Sequence, residues 1–168
     1  MKKLLLLFIF LFSLNNAHAT HLMGGEITWE CIKDPTNPDV GKYIFTMKLY
    51  RDCDGTTLST FSQTIFVWDG FSGPHPTVPN IIVNWVSSTD ISPACNAAQS
   101  GWPALDCFGL NPVGAVEEYI YQSAPITLTG TPPTDGWHFT WSSCCRNGAI
   151  TNLVLSSTTN PSEGFTLR

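Results

Sequence analysis

The sequence predicts an all-β fold, an antiparallel β-sandwich of immunoglobulin-like or similar type braced by disulfides. Three observations predict it. Short segments of alternating apolar and polar residues recur along the chain, with no helical period between them. Turn-rich stretches separate them, and 13 Gly and 12 Pro in 168 residues are a composition that long helices do not tolerate. Six cysteines, an even number, follow a leader-like start, which is the pattern of a disulfide framework in an exported chain.

The leader comes first. Met1, Lys2 and Lys3 form a positive start, residues 4–14 are apolar apart from Ser13, and Ala17 and Ala19 supply the small residues of a cleavage site. Residues 1–19 therefore read as a signal peptide and residues 20–168 as a single β-sandwich domain. The apolar run is shorter than the ~20 residues of a spanning helix. No second such run follows, so no membrane span is expected once the signal is removed. Residues 25–32 alternate, with Ile27, Trp29 and Cys31 on one side and Glu26, Thr28 and Glu30 on the other, as a half-buried strand does. Turn residues at 33–39 include Pro35 and Pro38, which cannot join a ladder. Residues 42–51 form the partner strand, with Tyr43, Phe45, Met47 and Leu49 on one face.

Residues 60–69 and 80–88 repeat the style around a Gly/Pro-rich connection at 69–76. Residues 89–114 show no period and read as a long surface loop off the sheet. Strands are expected at 116–128 and 137–145, joined by the turn residues 131–136. Asn147-Gly148 is a hairpin signal, because both residues accept positive φ, and it leads into a strand at 150–157. Residues 164–168 resemble the start of a further strand, so the chain reads as the N-terminal module of a longer protein.

Composition excludes some functions. Hydrophobic residues make up 43% and charged ones only 12%, and the net charge of −5 becomes −7 once Lys2 and Lys3 leave with the signal. Nothing here neutralises phosphates, so nucleic acid is not an expected partner. With 6 Trp, 10 Phe and 4 Tyr to build a core, disorder is excluded as well.

The cysteines are Cys31, Cys53, Cys95, Cys107, Cys144 and Cys145. Zinc would require closely spaced ligand pairs such as C-x-x-C, which are lacking. Cys95 and Cys107 are expected to close the central loop. Cys31 and Cys53 stand at opposite ends of the first hairpin, too far apart for the ~7 Å limit on disulfide Cα atoms. They are therefore expected to take Cys144 and Cys145 between them. Neighbouring strand residues point to opposite faces, which gives Cys144 and Cys145 separate partners. Asp52 and Arg146 flank these cysteines and are expected to form an ion pair.

Catalytic signatures are sparse. Asp52-Cys53-Asp54-Gly55 resembles the opening of a calcium loop, but Gln63 stands where the closing carboxylate belongs. Glu117 and Glu118 are strand neighbours pointing apart, not an acid/base pair. There is no G-x-S-x-G elbow, no H-E-x-x-H and no phosphate loop. No enzyme activity, metal or cofactor is expected. A contrasting reading is a secreted carbohydrate-binding domain, with Trp102 as a glycan contact. A related one is a copper-dependent polysaccharide-active domain, in which His21 as the N-terminal residue joins His75 or His138.

Four stretches in order carry a resemblance: THLMGGEITWECI, GKYIFTMKLYRDCDG, CFGLNPVGAVEEYIYQ and GWHFTWSSCCRNGAITNL. Together, from Thr20 to Leu153, they resemble the N-terminal region of very large Bacteroidota cell-surface proteins. Those proteins end in a gliding-motility-associated C-terminal domain that serves as a type IX secretion sorting signal. The resemblance implies secretion, cell-surface display and adhesin-like or matrix roles with no defined catalytic site. The expected partner is an extracellular ligand, a glycan or a surface protein.

Overall fold

The computed structural model describes residues 22–69, 78–94, 104–109, 112–143 and 165–167, and every regular element among them is a β-strand. The strands are β1 (Leu22–Cys31), β2 (Tyr43–Asp52), β3 (Gln63–Asp69), β4 (Ile81–Asp90), β5 (Val116–Ser123), β6 (Trp137–Ser143) and β7 (Phe165–Leu167). All pairings are antiparallel, in the order β1-β2-β5-β4-β3-β6-β7. The expected all-β, disulfide-braced fold is thus present, and its layers are parts of one continuous sheet.

That sheet rolls onto itself. β2 and β6 are four places apart in the order, yet the rings of Phe45 and Phe139 lie 4.7 Å apart across the interior. The outermost strands, β1 and β7, come into contact. β3 makes the corner: Gln63–Ile65 pair with β4, then Phe66–Asp69 pair with β6. A strand that changes partners midway is how layered β folds turn corners. Irregular register at Leu22/Gly24 in β1 and at Trp85/Ser87 in β4 adds the local twist that rolling requires.

The interior follows the period of two. Phe45, Met47, Leu49 and Arg51 alternate inward along β2, as do Glu117, Tyr119, Tyr121 and Ser123 along β5, and all are buried. Ile65, Val67, Ile81, Val83 and Trp141 close the core from the other strands. Complete burial of a side chain such as Phe45 stabilises the fold by roughly 1.5–3 kcal/mol. Tyr121 is fully buried and donates its hydroxyl to the Ser59 carbonyl at 2.5 Å, so its polar end is satisfied.

Several expectations are corrected. The strand expected at 116–128 ends at Ser123, and beyond it Ile126 exchanges both backbone hydrogen bonds with Tyr43 as an isolated bridge. β4 runs on to Asp90, inside the stretch read as loop. The disulfide joins Cys53 to Cys107, with Cα atoms 5.0 Å apart, and not Cys95 to Cys107. It equally takes Cys53 away from Cys144 and Cys145. The reason is strand order. β5 lies between β2 and β4, so the end of β2 and the chain leaving β4 flank the same end of β5. There the Cys53 amide donates to the Ala115 carbonyl at 3.0 Å, and the Cys107 amide donates to Asp90 Oδ2 at 2.8 Å. Cys31 is a half-buried free thiol at the far end of the β1–β2 hairpin. The 147–148 hairpin, the 150–157 strand and the signal lie outside the described residues.

Candidate functional site: an aromatic cleft beside the edge strand

Trp29 occupies an inward register position on β1, opposite Phe45 of β2. Its parity predicts burial, but 57% of it is exposed. The cause is its strand: β1 is the first in the sheet order and pairs only with β2 among the described residues. The Trp29 ring packs 6.3 Å from Phe45 and 5.9 Å from Phe139, in tilted arrangements of the kind aromatic pairs favour. The aromatic core therefore reaches the surface at Trp29, held from beneath by two rings.

Two clefts have Trp29 in their lining. One, of about 610 Å³, is lined by Trp29, Glu30, Cys31, Ile32, Lys33, Asp34, Tyr43 and Ile44. The other, of about 180 Å³, lies among Ile27, Trp29, Trp137, His138 and Phe139.

The β1–β2 connection gives the larger cleft a fixed polar rim. Ile32 and its partners close the hairpin through Ile32 N–H to the Lys42 carbonyl and Gly41 N–H to the Ile32 carbonyl, both 2.8 Å. Asp34 Oδ1 accepts from the Thr36 hydroxyl at 2.7 Å and the Thr36 amide at 2.8 Å. These bonds, the hydroxyl's first, hold the Asp34 carboxyl below its usual range, so it is ionised and fixed in place. Asn37 Oδ1 caps the Asp39 amide at 2.8 Å, and Asp39 pairs with Lys42 at 2.6 Å. Glu30, Lys33 and the Tyr43 hydroxyl make no side-chain hydrogen bond or ion pair with the described residues and remain available to a ligand.

The opposite end of the roll is structural. Arg51 and Glu117, both buried, pair through Arg51 Nε and Nη2 to Glu117 Oε2 at 2.8 and 2.7 Å. Arg51 Nη1 donates to the carbonyls of Asp52, Cys53 and Gly55, fixing the bend that carries Cys53. Asp90, opposite Glu117 on β4, accepts from both the hydroxyl and amide of Ser92 and from the Cys107 amide. Those bonds, the Ser92 hydroxyl's first, lower its carboxyl below the ordinary value.

Asp52 points its carboxylate at the Asp54 amide, 3.1 Å away, as a local turn former. Its expected partner Arg146 lies outside the described residues, as do Cys95, Cys144, Cys145, Trp102, His21 and His75. His138 Nε2 sits 3.3 Å from the Asp135 carbonyl. Glu118 faces away from Glu117 and pairs with Lys48 at 3.3 Å, as strand parity requires. Among the described residues no group of His, Cys, Asp or Glu is placed to hold a metal ion. The Arg51–Glu117 pair went unread in the sequence, although both residues share the parity of their strands' apolar faces. The chain is similar to no protein-family model, no curated protein and no solved structure.

Proposed function

We propose that this chain is an exported, non-enzymatic β-module, the N-terminal part of an adhesin-like, gliding-motility-associated surface protein. The observation that carries the reading is the Cys53–Cys107 bond, which joins residues 54 apart in sequence. Long-range structural disulfides persist in oxidising compartments and are rare where glutathione and thioredoxin keep thiols reduced. The leader-like residues 1–19 and the family resemblance from Thr20 to Leu153 support the same destination. No helix among the described residues is long and apolar enough to cross a membrane. The surface fits a displayed module too, being poor in charge and carrying an exposed aromatic beside a fixed polar turn.

The test is to express the chain with its own leader in a Bacteroidota host. The product is then followed by N-terminal sequencing, protease accessibility on intact cells and non-reducing peptide mapping. The expected product begins at Thr20, is accessible from outside or found in the medium, and contains a Cys53–Cys107 peptide. A cytoplasmic product with an intact leader and reduced Cys53 and Cys107 would refute the reading.

A further inference from the structure

We propose that the larger cleft beside Trp29 is a binding site for neutral oligosaccharides, with the indole face as the platform for a sugar ring. The inference rests on reading the chain as an extracellular module and gives that module a ligand class and a location.

A sugar-binding site needs an accessible flat aromatic face that does not collapse into its own core, and polar groups around it that the fold has not used. Trp29 meets the first need: it is 57% exposed, while Phe45 and Phe139 pack against it and hold its plane. The negative face of an aromatic ring attracts the C–H bonds of a pyranose, which the ring oxygen and hydroxyls leave slightly positive. Lys33, Asp34 and Tyr43 line the same cleft, whereas the Glu30 side chain, next to Trp29 on β1, points to the other face of the strand. The Asp34 carboxylate accepts from sugar hydroxyls, the Lys33 ammonium donates to them, and the Tyr43 hydroxyl does either. Asp34 is already oriented by Thr36 through Oδ1, and no described residue donates to its Oδ2. At about 610 Å³ the cleft falls within the roughly 300–1,000 Å³ of small-ligand sites.

Charge selects neutral sugars over acidic ones. Asp34 and Lys33 balance each other at the rim, on a chain whose overall charge is −5. A uronate would meet repulsion from the net charge of the molecule, which a neutral sugar does not feel. A peptide strand added along β1 is the competing occupant. It would engage the backbone edge and would not depend on the indole face.

Isothermal titration of the purified disulfide-bonded chain with neutral tetrasaccharides of glucose, mannose, galactose and N-acetylglucosamine tests the site, with tetragalacturonate as the acidic probe. At least one neutral probe is expected to bind, and tetragalacturonate more than tenfold more weakly. Trp29→Ala should weaken binding roughly tenfold or more. Lys33→Ala alters an exposed side chain with no partner among the described residues and should weaken binding about threefold with no change in thermal midpoint. Trp85→Ala, which removes an exposed indole outside the cleft, should leave affinity within twofold. In the wild-type chain, bound sugar should also slow alkylation of Cys31, read on its own peptide, because that thiol lines the cleft. The proposal is overturned if no neutral probe binds at millimolar concentration, if tetragalacturonate binds as well as the neutral sugars, or if Lys33→Ala and Trp29→Ala both bind unchanged. These assays use purified protein, so failure here leaves export and surface display standing. An unexported chain that still binds sugar would remove the module reading alone.

Discussion

Arg51 commits every nitrogen of its guanidinium, Nε and Nη2 to Glu117 and Nη1 to three carbonyls at the bend after β2. A charge this buried stabilises only while its counter-charge is present, because desolvation of the survivor is costly. Glu117→Gln should therefore cost about 3 kcal/mol in urea denaturation. Arg51→Met should cost more, since it also leaves the bend's carbonyls without their donor. The double variant Arg51→Met/Glu117→Leu should recover part of the loss, and double-mutant analysis would read the coupling directly. Tyr121 makes a second prediction at this scale. Burial, with a smaller contribution from Tyr119, pushes its hydroxyl up to about 12 from an ordinary 10. Below pH 10 the phenol is neutral both folded and unfolded. Above it the unfolded chain ionises first, so stability should fall as pH rises from 10 toward 12, by about 3 kcal/mol in all. Tyr121→Phe should flatten that decline in denaturation curves collected across this range, while losing about 1 kcal/mol at neutral pH for the hydrogen bond to Ser59.

At the scale of elements, the hairpin of β1 and β2 depends on its turn. Gly41 has φ of 84°, a left-handed conformation, and nothing stands within 4 Å of where a Cβ would be. Gly41→Ala should cost about 1 kcal/mol from backbone strain alone, seen as a lower thermal midpoint with unchanged strand content. The faces of β1 and β2 were legible in the sequence, because period-two alternation survives in any antiparallel sheet with one buried side. Tyr43, Phe45, Met47 and Leu49 do share a face, and Ile27, Trp29 and Cys31 share the matching one. The same alternation extends to Arg51 and to Glu117. Charge at the end of an apolar stripe is ambiguous until the partner strand is known. Strand order was not legible, since alternation says which way a residue points and nothing about which strand lies alongside. The cleft was half-visible for this reason. Parity placed Trp29 correctly, but its exposure depends on β1 standing at the end of the order.

At the scale of the whole molecule, the described strands form one roll with a covalent bond at one end and the exposed Trp29 toward the other. The Cys53–Cys107 bond ties the bend after β2 to the chain leaving β4, with β5 between them. In the chain-entropy picture a loop of 54 residues makes such a bond worth about 4 kcal/mol. Replacing both cysteines with serine should lower stability by about that amount in urea, with the far-ultraviolet signature of the sheet retained below the transition.

The same bond sets how far the molecule can lengthen under tension. A chain pulled from its two ends lengthens as its strands separate, but the stretch between Cys53 and Cys107 cannot extend while the bond holds. Those 54 residues amount to roughly 190 Å of extended chain that stays hidden. Optical-trap extension of the chain between two handles should show a contour-length gain about 190 Å shorter under oxidising conditions than after reduction. Equal gains in the two conditions would mean that the loop is not locked. A molecule built this way reaches its limit of extension early, so a tether containing it would stiffen while β3, β4 and their connections were still held as slack in reserve.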